Sequence, residues 1–114
     1  MINENFMVWN VRGLNARARR DVVREMVSQE NVSLLSLQET KLDVCGQQML
    51  SDICGPAFDF VHKPAVGTSG GILVAWKTDT WSVSNPRVHD NGITVHVTLL
   101  RNNEQWWLTC VYGP

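Results

Sequence analysis

The stretch Phe-Met-Val-Trp-Asn-Val-Arg-Gly at residues 6–13 decides the fold. It begins as a short apolar run and ends in a glycine, so we predict a buried strand over 6–11 that stops at a turn. Residues 16–30 then carry apolar side chains at helical spacing, with Asn15 as the expected N-cap. A second apolar run at 34–37 follows the helix. This part of the chain is therefore predicted to be a strand–helix–strand unit.

The remainder of the chain is predicted to hold one more short helix and then a series of strands. The helix ends at the pair Gly55-Pro56, a common stop signal. The strands that follow are expected at 58–61, 72–76, 93–99 and 106–112, with 83–88 as a weaker candidate that Pro86 interrupts. Strands that alternate with helices indicate the α/β class.

Four of the predicted strands are apolar on both of their alternating faces, namely 6–11, 34–37, 72–76 and 106–112. Such strands need cover on both sides of their sheet. Two helices can cover only one side, and a layered fold needs both sides covered. We therefore predict a mixed β-sheet with two helices on one face and an open second face. Residues 1–114 would then be one N-terminal half-domain that binds its missing C-terminal half or self-associates through the open sheet face.

Composition narrows the class of protein further. The net charge is −1, so total charge gives no indication of a nucleic-acid partner. Cys45, Cys54 and Cys110 lack the spacing of a metal site or a disulfide framework, which favours reduced thiols in an intracellular protein. No apolar stretch is long enough for a membrane span, and the N-terminus lacks the pattern of a secretory signal. We expect no membrane association and an intracellular location, with the nucleus as one candidate compartment.

Two polar residues follow apolar strands at their carboxyl ends, Asn10 after the first strand and Glu39 after the second. If these strands are parallel neighbours, both residues emerge at the edge where α/β sheets bind ligands. A carboxylate at that edge could hold Mg²⁺, and an amide beside it could donate a hydrogen bond to a phosphate oxygen. The ordinary alternatives are a solvated surface glutamate and a turn-forming asparagine.

Tyr112 and Arg12 are the other candidates for a site. Tyr112 ends the last predicted strand, where a half-buried tyrosine with a bonded hydroxyl is the ordinary alternative. Arg12 begins a group of arginines that could bind a nucleic-acid backbone; the others are Arg17, Arg19, Arg20 and Arg24. Acidic residues are interleaved with the later arginines, so a solvated helix face is favoured for all of them except Arg12.

Four motifs occur in an order that resembles the endonuclease/exonuclease/phosphatase superfamily. They are Trp-Asn-Val-Arg-Gly at 9–13, Leu-Gln-Glu-Thr-Lys at 37–41, Ser-Gly-Gly-Ile at 69–72 and Val-Tyr-Gly-Pro at 111–114. The sequence is most similar to the endonuclease domains of plant non-LTR (LINE-type) retroelements. The resemblance implies a four-layer α/β sandwich, of which this chain would be one sheet with its two helices. It also implies Mg²⁺-dependent cleavage of phosphodiester bonds, with DNA as the substrate of the intact domain.

The resemblance assigns a role to each candidate residue. It implies that Asn10 belongs to the hydrogen-bond network of the active site, that Glu39 coordinates Mg²⁺, and that Tyr112 contacts the scissile phosphate. DNA-repair members often carry an aspartate where this chain has Arg12. A second acidic contact near the metal is therefore absent, and Arg12 is expected to bind nucleic acid instead.

The family's Gly-Asp-x-Asn and Ser-Asp-His segments have no counterpart in the sequence. In the family these segments supply the aspartate that activates water and the histidine that stabilises the transition-state phosphate. We therefore expect a truncated Mg²⁺-dependent phosphodiesterase or endonuclease that is inactive as this fragment. Two alternatives stay open: a non-catalytic remnant derived from a retroelement, and a phosphatase that acts on a phosphoinositide or another phosphoester.

Overall fold

The structure, a computed structural model, describes residues 4–67 and 69–111. Within those residues the chain forms a strand, a helix, a strand and a helix, followed by five strands. In chain order the elements are β1 Asn5–Asn10, α1 Arg17–Gln29, β2 Val32–Gln38, α2 Gln47–Cys54, β3 Phe58–Lys63, β4 Ile72–Lys77, β5 Trp81–His89, β6 Gly92–Leu99 and β7 Gln105–Val111. No helix in this described part is long and apolar enough to cross a lipid bilayer.

The first sheet has the strand order β1-β2-β4-β3. β1 and β2 are parallel, whereas β4 is antiparallel to both of its neighbours, so the sheet is mixed. Both helices pack on one face of it: Val23 and Val27 of α1 and Leu50 and Ile53 of α2 share a buried cluster with Leu35 of β2. The predicted α/β class, with a mixed sheet and two helices on one face, is confirmed.

The remaining strands form a second, antiparallel sheet in the order β5-β6-β7. Ile93, Val95 and Val97 of β6 pack in one buried cluster with Leu34 and Val74 of the first sheet. The second sheet therefore covers the face that we predicted to be open, and the prediction of a single sheet with an open face was wrong. The physical reason is that strict alternation shows that one face of β6 is buried, but not which surface buries it.

The weak strand candidate at 83–88 is part of a longer strand, β5, at the edge of the second sheet. Its pairing with β6 changes register between Ser84 and Arg87, and Asn85 has a φ of 51° there. Pro86 therefore lies in a bulge of an edge strand. Proline is tolerated at such positions because its missing N–H interrupts no ladder.

β1 and β7 are the outer strands of their sheets on one side of the sandwich, and both are less buried than their sequences predicted. Phe6 is 47% exposed and Trp106 is 45% exposed. A groove of about 320 Å³ lies between the two strands; residues that line it include Phe6, Leu34, Trp81, Trp106 and Leu108. We call β1, β7 and this groove the open side. The two strands are apolar on both faces, yet here they lack a neighbour along one edge.

Candidate functional site

The carboxyl ends of β1 and β2 meet at one edge of the first sheet. Asn10 is the register partner of Gln38, and the Val11 N–H donates to the Gln38 carbonyl at 3.0 Å. The Glu39 carbonyl, which follows that of Gln38, accepts a hydrogen bond from the Gly13 N–H at 2.7 Å. Asn10 and Glu39 therefore lie at the same edge, as their positions in the sequence predicted. This is the edge at which open α/β sheets bind ligands.

Three residues at this edge adopt a left-handed backbone conformation. Arg12 has a φ of 54°, Glu39 of 53° and Lys41 of 57°. This conformation is uncommon for residues that carry a side chain, and it costs on the order of 1–3 kcal/mol for each residue. Because backbone strain of this kind collects at ligand-binding and active sites, its concentration here supports a functional role for the edge. Lys41 received no role from the sequence.

The segment 39–41 is held by backbone hydrogen bonds on both of its sides. On one side, the Gly13 and Leu14 N–H groups donate to the Glu39 and Thr40 carbonyls. On the other side, the Thr40 N–H donates to the Gly71 carbonyl at 3.1 Å and the Lys41 N–H to the Gly70 carbonyl at 2.9 Å. The Ser-Gly-Gly-Ile motif thus lies directly against the Leu-Gln-Glu-Thr-Lys motif, which the sequence did not reveal.

Two arginines of the sequence cluster brace the loop after β1. Arg19 Nη1 donates to the Val11 carbonyl at 2.8 Å, and Arg20 Nη1 donates to the Leu14 carbonyl at 2.8 Å. The predicted solvated helix face is thus incomplete for these two residues: Arg19 is exposed but also bonded to the loop, and Arg20 is half-buried. Asn15 is also not the N-cap of α1, because Ala16 occupies that position and the Asn15 amide donates to the Lys41 carbonyl at 2.9 Å.

Over residues 4–67 and 69–111, the other charged side chains at this edge make no such bond. Arg12 and Lys41 are exposed, Glu39 is half-buried and Asn10 is exposed. Lys41 also passes close to Gly13, since a Cβ at Gly13 would lie 3.5 Å from Lys41 Cδ. One carboxylate, one amide and two cations therefore belong to the segments at this edge, and these residue types suit a phosphate group together with a metal ion.

The end of the second sheet is tied to the same edge. Gln38 Nε2, one residue before Glu39, donates to the Val111 carbonyl at 2.8 Å. This bond connects the ends of β2 and β7, and no local pattern in the sequence indicates a role for Gln38. Tyr112 lies outside the described residues, so its predicted contact with a phosphate stays a prediction.

The donor atoms at the edge fit part of a magnesium site. Mg²⁺ prefers oxygen ligands and is usually held by one or two carboxylates together with waters and phosphate oxygens. The Glu39 carboxylate and the Asn10 amide offer oxygens of this kind. Over residues 4–67 and 69–111, no group of three or more His, Cys, Asp or Glu side chains could hold a metal ion by itself. Any metal bound here would therefore depend on water, substrate or a second protein segment.

The sequence matches the Endonuclease/Exonuclease/phosphatase family over residues 7–106. This match includes Asn10, Glu39 and the Gly70-Gly71 segment. No protein with a curated description matches the sequence.

Solved structures with the same fold support this match. The mannosyl-6-phosphatase Bt3783 of Bacteroides thetaiotaomicron VPI-5482 superposes with a TM-score of 0.67 at 12% identity, over 94% of this chain and 50% of its own. An endonuclease/exonuclease/phosphatase family protein of Bacteroides thetaiotaomicron also gives 0.67 at 12% identity, over 91% of this chain and 46% of its own. A third structure, the endonuclease/exonuclease/phosphatase from Bacteroides vulgatus, gives a TM-score of 0.64 at 12% identity, over 90% of this chain and 49% of its own. The chain thus spans about half the length of these proteins.

Proposed function

Because this chain belongs to the endonuclease/exonuclease/phosphatase family, we propose that it is the N-terminal half of a Mg²⁺-dependent endonuclease domain that cleaves DNA. The family's reactions are hydrolyses of phosphoesters. Within the family, we propose a relationship to the endonucleases of plant non-LTR retroelements, on the strength of the Trp-Asn-Val-Arg-Gly opening at 9–13.

The observation that carries this proposal is the meeting of Asn10 and Glu39 at the carboxyl edge of β1 and β2, within strained backbone. Glu39 would hold Mg²⁺ through its carboxylate, and Asn10 would donate a hydrogen bond from its amide to a phosphate oxygen. Tyr112 would contact the scissile phosphate. When bound, Mg²⁺ supplies stabilisation of the charge that develops on the phosphate oxygens.

Arg12 would bind the DNA backbone on the same edge. Its side chain is exposed, whereas the guanidinium groups of Arg19 and Arg20 each donate a hydrogen bond to a loop carbonyl. A guanidinium group pairs well with phosphate through two parallel hydrogen bonds. We add Lys41 to this surface because it is exposed and lies two residues after Glu39.

The chain alone would be inactive under this proposal, because it lacks the Gly-Asp-x-Asn and Ser-Asp-His segments. We propose that a C-terminal half-domain completes the site and docks on the open side, and that copies of the chain associate through the same side without it. The support is that Phe6 and Trp106 are exposed there although their strands have the apolar sequences of interior strands. Exposed apolar surface of this kind marks a partner site or a risk of aggregation.

A phosphatase is the second candidate. It is favoured by the similarity of the fold to a protein described as a mannosyl-6-phosphatase. Fold similarity by itself does not determine the substrate, so the phosphoinositide and other phosphoester hypotheses belong to this candidate as well. A non-catalytic remnant is the remaining alternative, supported by the missing segments.

DNA binding tests the proposal with the chain as it is. We expect a short DNA duplex to bind weakly at low salt by fluorescence anisotropy, with tighter binding in Mg²⁺. Arg12→Ala should weaken binding and reduce the slope of log K against log salt by about 0.9, the value for one lost phosphate contact. The matched control is Arg17→Ala, an exposed arginine on α1.

Three results would each contradict one part of the proposal. Equal effects of Arg12→Ala and Arg17→Ala would remove the binding role of Arg12. If Mg²⁺ still tightens DNA binding in Glu39→Gln, Glu39 is not the ligand through which the metal acts. Displacement of the duplex by mannose 6-phosphate at lower concentration than by unlabelled DNA would favour the phosphatase.

A further inference from the structure

We infer that Gly71 is a positioning residue for Glu39: the missing side chain at residue 71 lets the segment after Glu39 sit where the carboxylate faces the proposed site. The inference rests on the proposed metal-binding role of Glu39. It concerns a residue outside the set that the sequence motifs assigned to the chemistry, and it gives the Ser-Gly-Gly-Ile motif a physical function.

The first step is the lack of space at residue 71. A Cβ there would overlap the Thr40 hydroxyl oxygen and would lie 3.2 Å from the Lys41 backbone nitrogen. Thr40 is fully buried, and its hydroxyl accepts the Leu42 N–H at 3.3 Å. Thr40 therefore cannot swing away into solvent. Gly71 also has a φ of 93°, a conformation that residues with a side chain rarely adopt.

The second step is what holds Glu39. Within the described residues, the structure gives the Glu39 carboxylate no hydrogen-bond partner, so no side-chain bond would resist a shift of the backbone beneath it. That backbone is left-handed at Glu39 and at Lys41, with Thr40 between them bonded to the Gly71 carbonyl. A side chain at residue 71 would push Thr40 and Lys41 away from β4. Because Glu39 is covalently attached to Thr40, its carboxylate would turn away from Asn10's edge.

The third step separates this role from ordinary tight packing. If Gly71 only allowed packing, Gly71→Ala would lower stability and leave the metal site of the folded protein intact. If Gly71 positions Glu39, the folded variant should lose metal affinity as well. Residues that orient a metal ligand typically contribute about 10- to 100-fold in affinity. Removing the Thr40 hydroxyl that the new methyl overlaps should restore the position, so Gly71→Ala/Thr40→Ala should regain affinity.

The experiment uses the full chain and Mn²⁺ as the probe, with paramagnetic broadening of amide NMR signals as the readout. In the wild type we expect broadening of amide signals centred on Glu39. The Mn²⁺ concentration that gives the same broadening should be about 10- to 100-fold higher in Gly71→Ala. Two alanine controls should behave as the wild type. Gly67 has a φ of 63°, but a Cβ added there would meet no atom within 4 Å, so Gly67→Ala controls for backbone strain. A Cβ added at Gly46 would also meet no atom within 4 Å, and Gly46 has no positive φ, so Gly46→Ala controls for the substitution itself.

The outcomes for the two proposals are distinguishable. Wild-type-like broadening in folded Gly71→Ala would overturn the positioning role while leaving Glu39 as a ligand. If Gly71→Ala does not fold, the double variant decides: broadening at wild-type Mn²⁺ concentrations supports the inference, and its absence overturns it. No Glu39-centred broadening in the wild type would reject the metal role. The inference about Gly71, which rests on that role, would then be overturned as well.

Discussion

The hydrogen bond between Ser33 and Trp81 joins the two sheets and can be tested with one substitution. Trp81 Nε1 donates to the Ser33 hydroxyl at 3.0 Å, and both residues are buried. Ser33→Ala would leave the indole N–H buried without a partner. An unpaired buried donor costs about 1–3 kcal/mol. For a chain of this size each kcal/mol lowers the melting temperature by about 4 °C.

Urea denaturation followed by circular dichroism would measure the loss, since tryptophan fluorescence itself changes with substitutions at this site. We expect Ser33→Ala to lower the free energy of unfolding by about 1–3 kcal/mol in the wild type. In the Trp81→Phe background the same substitution should lower it by roughly 0.5 kcal/mol or less, because no buried N–H is left without a partner. Ser82→Ala, an exposed serine beside Trp81 in the same strand, is the control. Equal costs of Ser33→Ala in both backgrounds would mean that the second sheet does not pack against the first at this point.

Four further predictions follow from the charges, the thiols and the exposed strands. Burial lowers the pKa of His62 below its ordinary value of 6.5, and a backbone hydrogen bond with Leu42 opposes this shift only in part. The contribution of His62 to the free energy of unfolding is therefore fully present above pH 6.5 and decreases as the pH falls below that value. Urea unfolding should show that this decrease is lost in His62→Gln and retained in His96→Gln. Burial raises the pKa of Cys54 to about 12, so iodoacetamide at pH 8 should label it only in urea, and labelling of the folded chain would contradict its burial. Sedimentation should detect self-association that Phe6→Lys reduces and that Val44→Lys, at an exposed position outside β1 and β7, does not reduce; a wild-type monomer would count against the open side as a partner surface. With Mg²⁺ the chain should not nick supercoiled plasmid, and nicking that Glu39→Ala removes would mean that the partial site is sufficient.

Local patterns in the sequence predicted the parts of the fold that depend on neighbouring residues. The apolar runs ending at Asn10 and Glu39 predicted two strands with their polar ends at one edge, and the structure brings these ends together. The helical spacing of Ala16, Val23, Met26 and Val27 predicted an apolar face of α1, of which Val23 and Val27 are buried while Met26 is 36% exposed and Ala16 is exposed. Both features follow from the period of the backbone, which a single sequence carries.

Features that depend on distant residues were not available from the sequence. Asn15 has the residue type of an N-cap, but the Lys41 carbonyl competes for its amide across the loop. The alternation of β6 predicted a buried face without predicting that Leu34 and Val74 of another sheet would cover it. Arg19 and Arg20 resembled a solvated helix face because their carbonyl partners belong to the preceding loop.

The division of the strands into two sheets also explains why the prediction of an uncovered sheet face was wrong. β1 and β7 are apolar on both faces, and they were expected inside a single sheet with β2 and β4. In the structure only β2 and β4 are interior strands of this kind, while β1 and β7 bound the open side. Under the proposed function, a partner on the open side would cover the apolar side chains of these two outer strands.

A Mg²⁺ titration followed by amide chemical shifts would test the proposed site most directly. The proposal predicts weak, saturable shift changes that are confined to residues near 10–13 and 39–41, because one carboxylate supplies few of the ligands that Mg²⁺ requires. These changes should disappear in Glu39→Gln, with the remaining signals unaltered. Shift changes elsewhere in the chain, or changes at this edge that persist in Glu39→Gln, would contradict the assignment of the edge as half of a metal-dependent phosphoester-cleaving site.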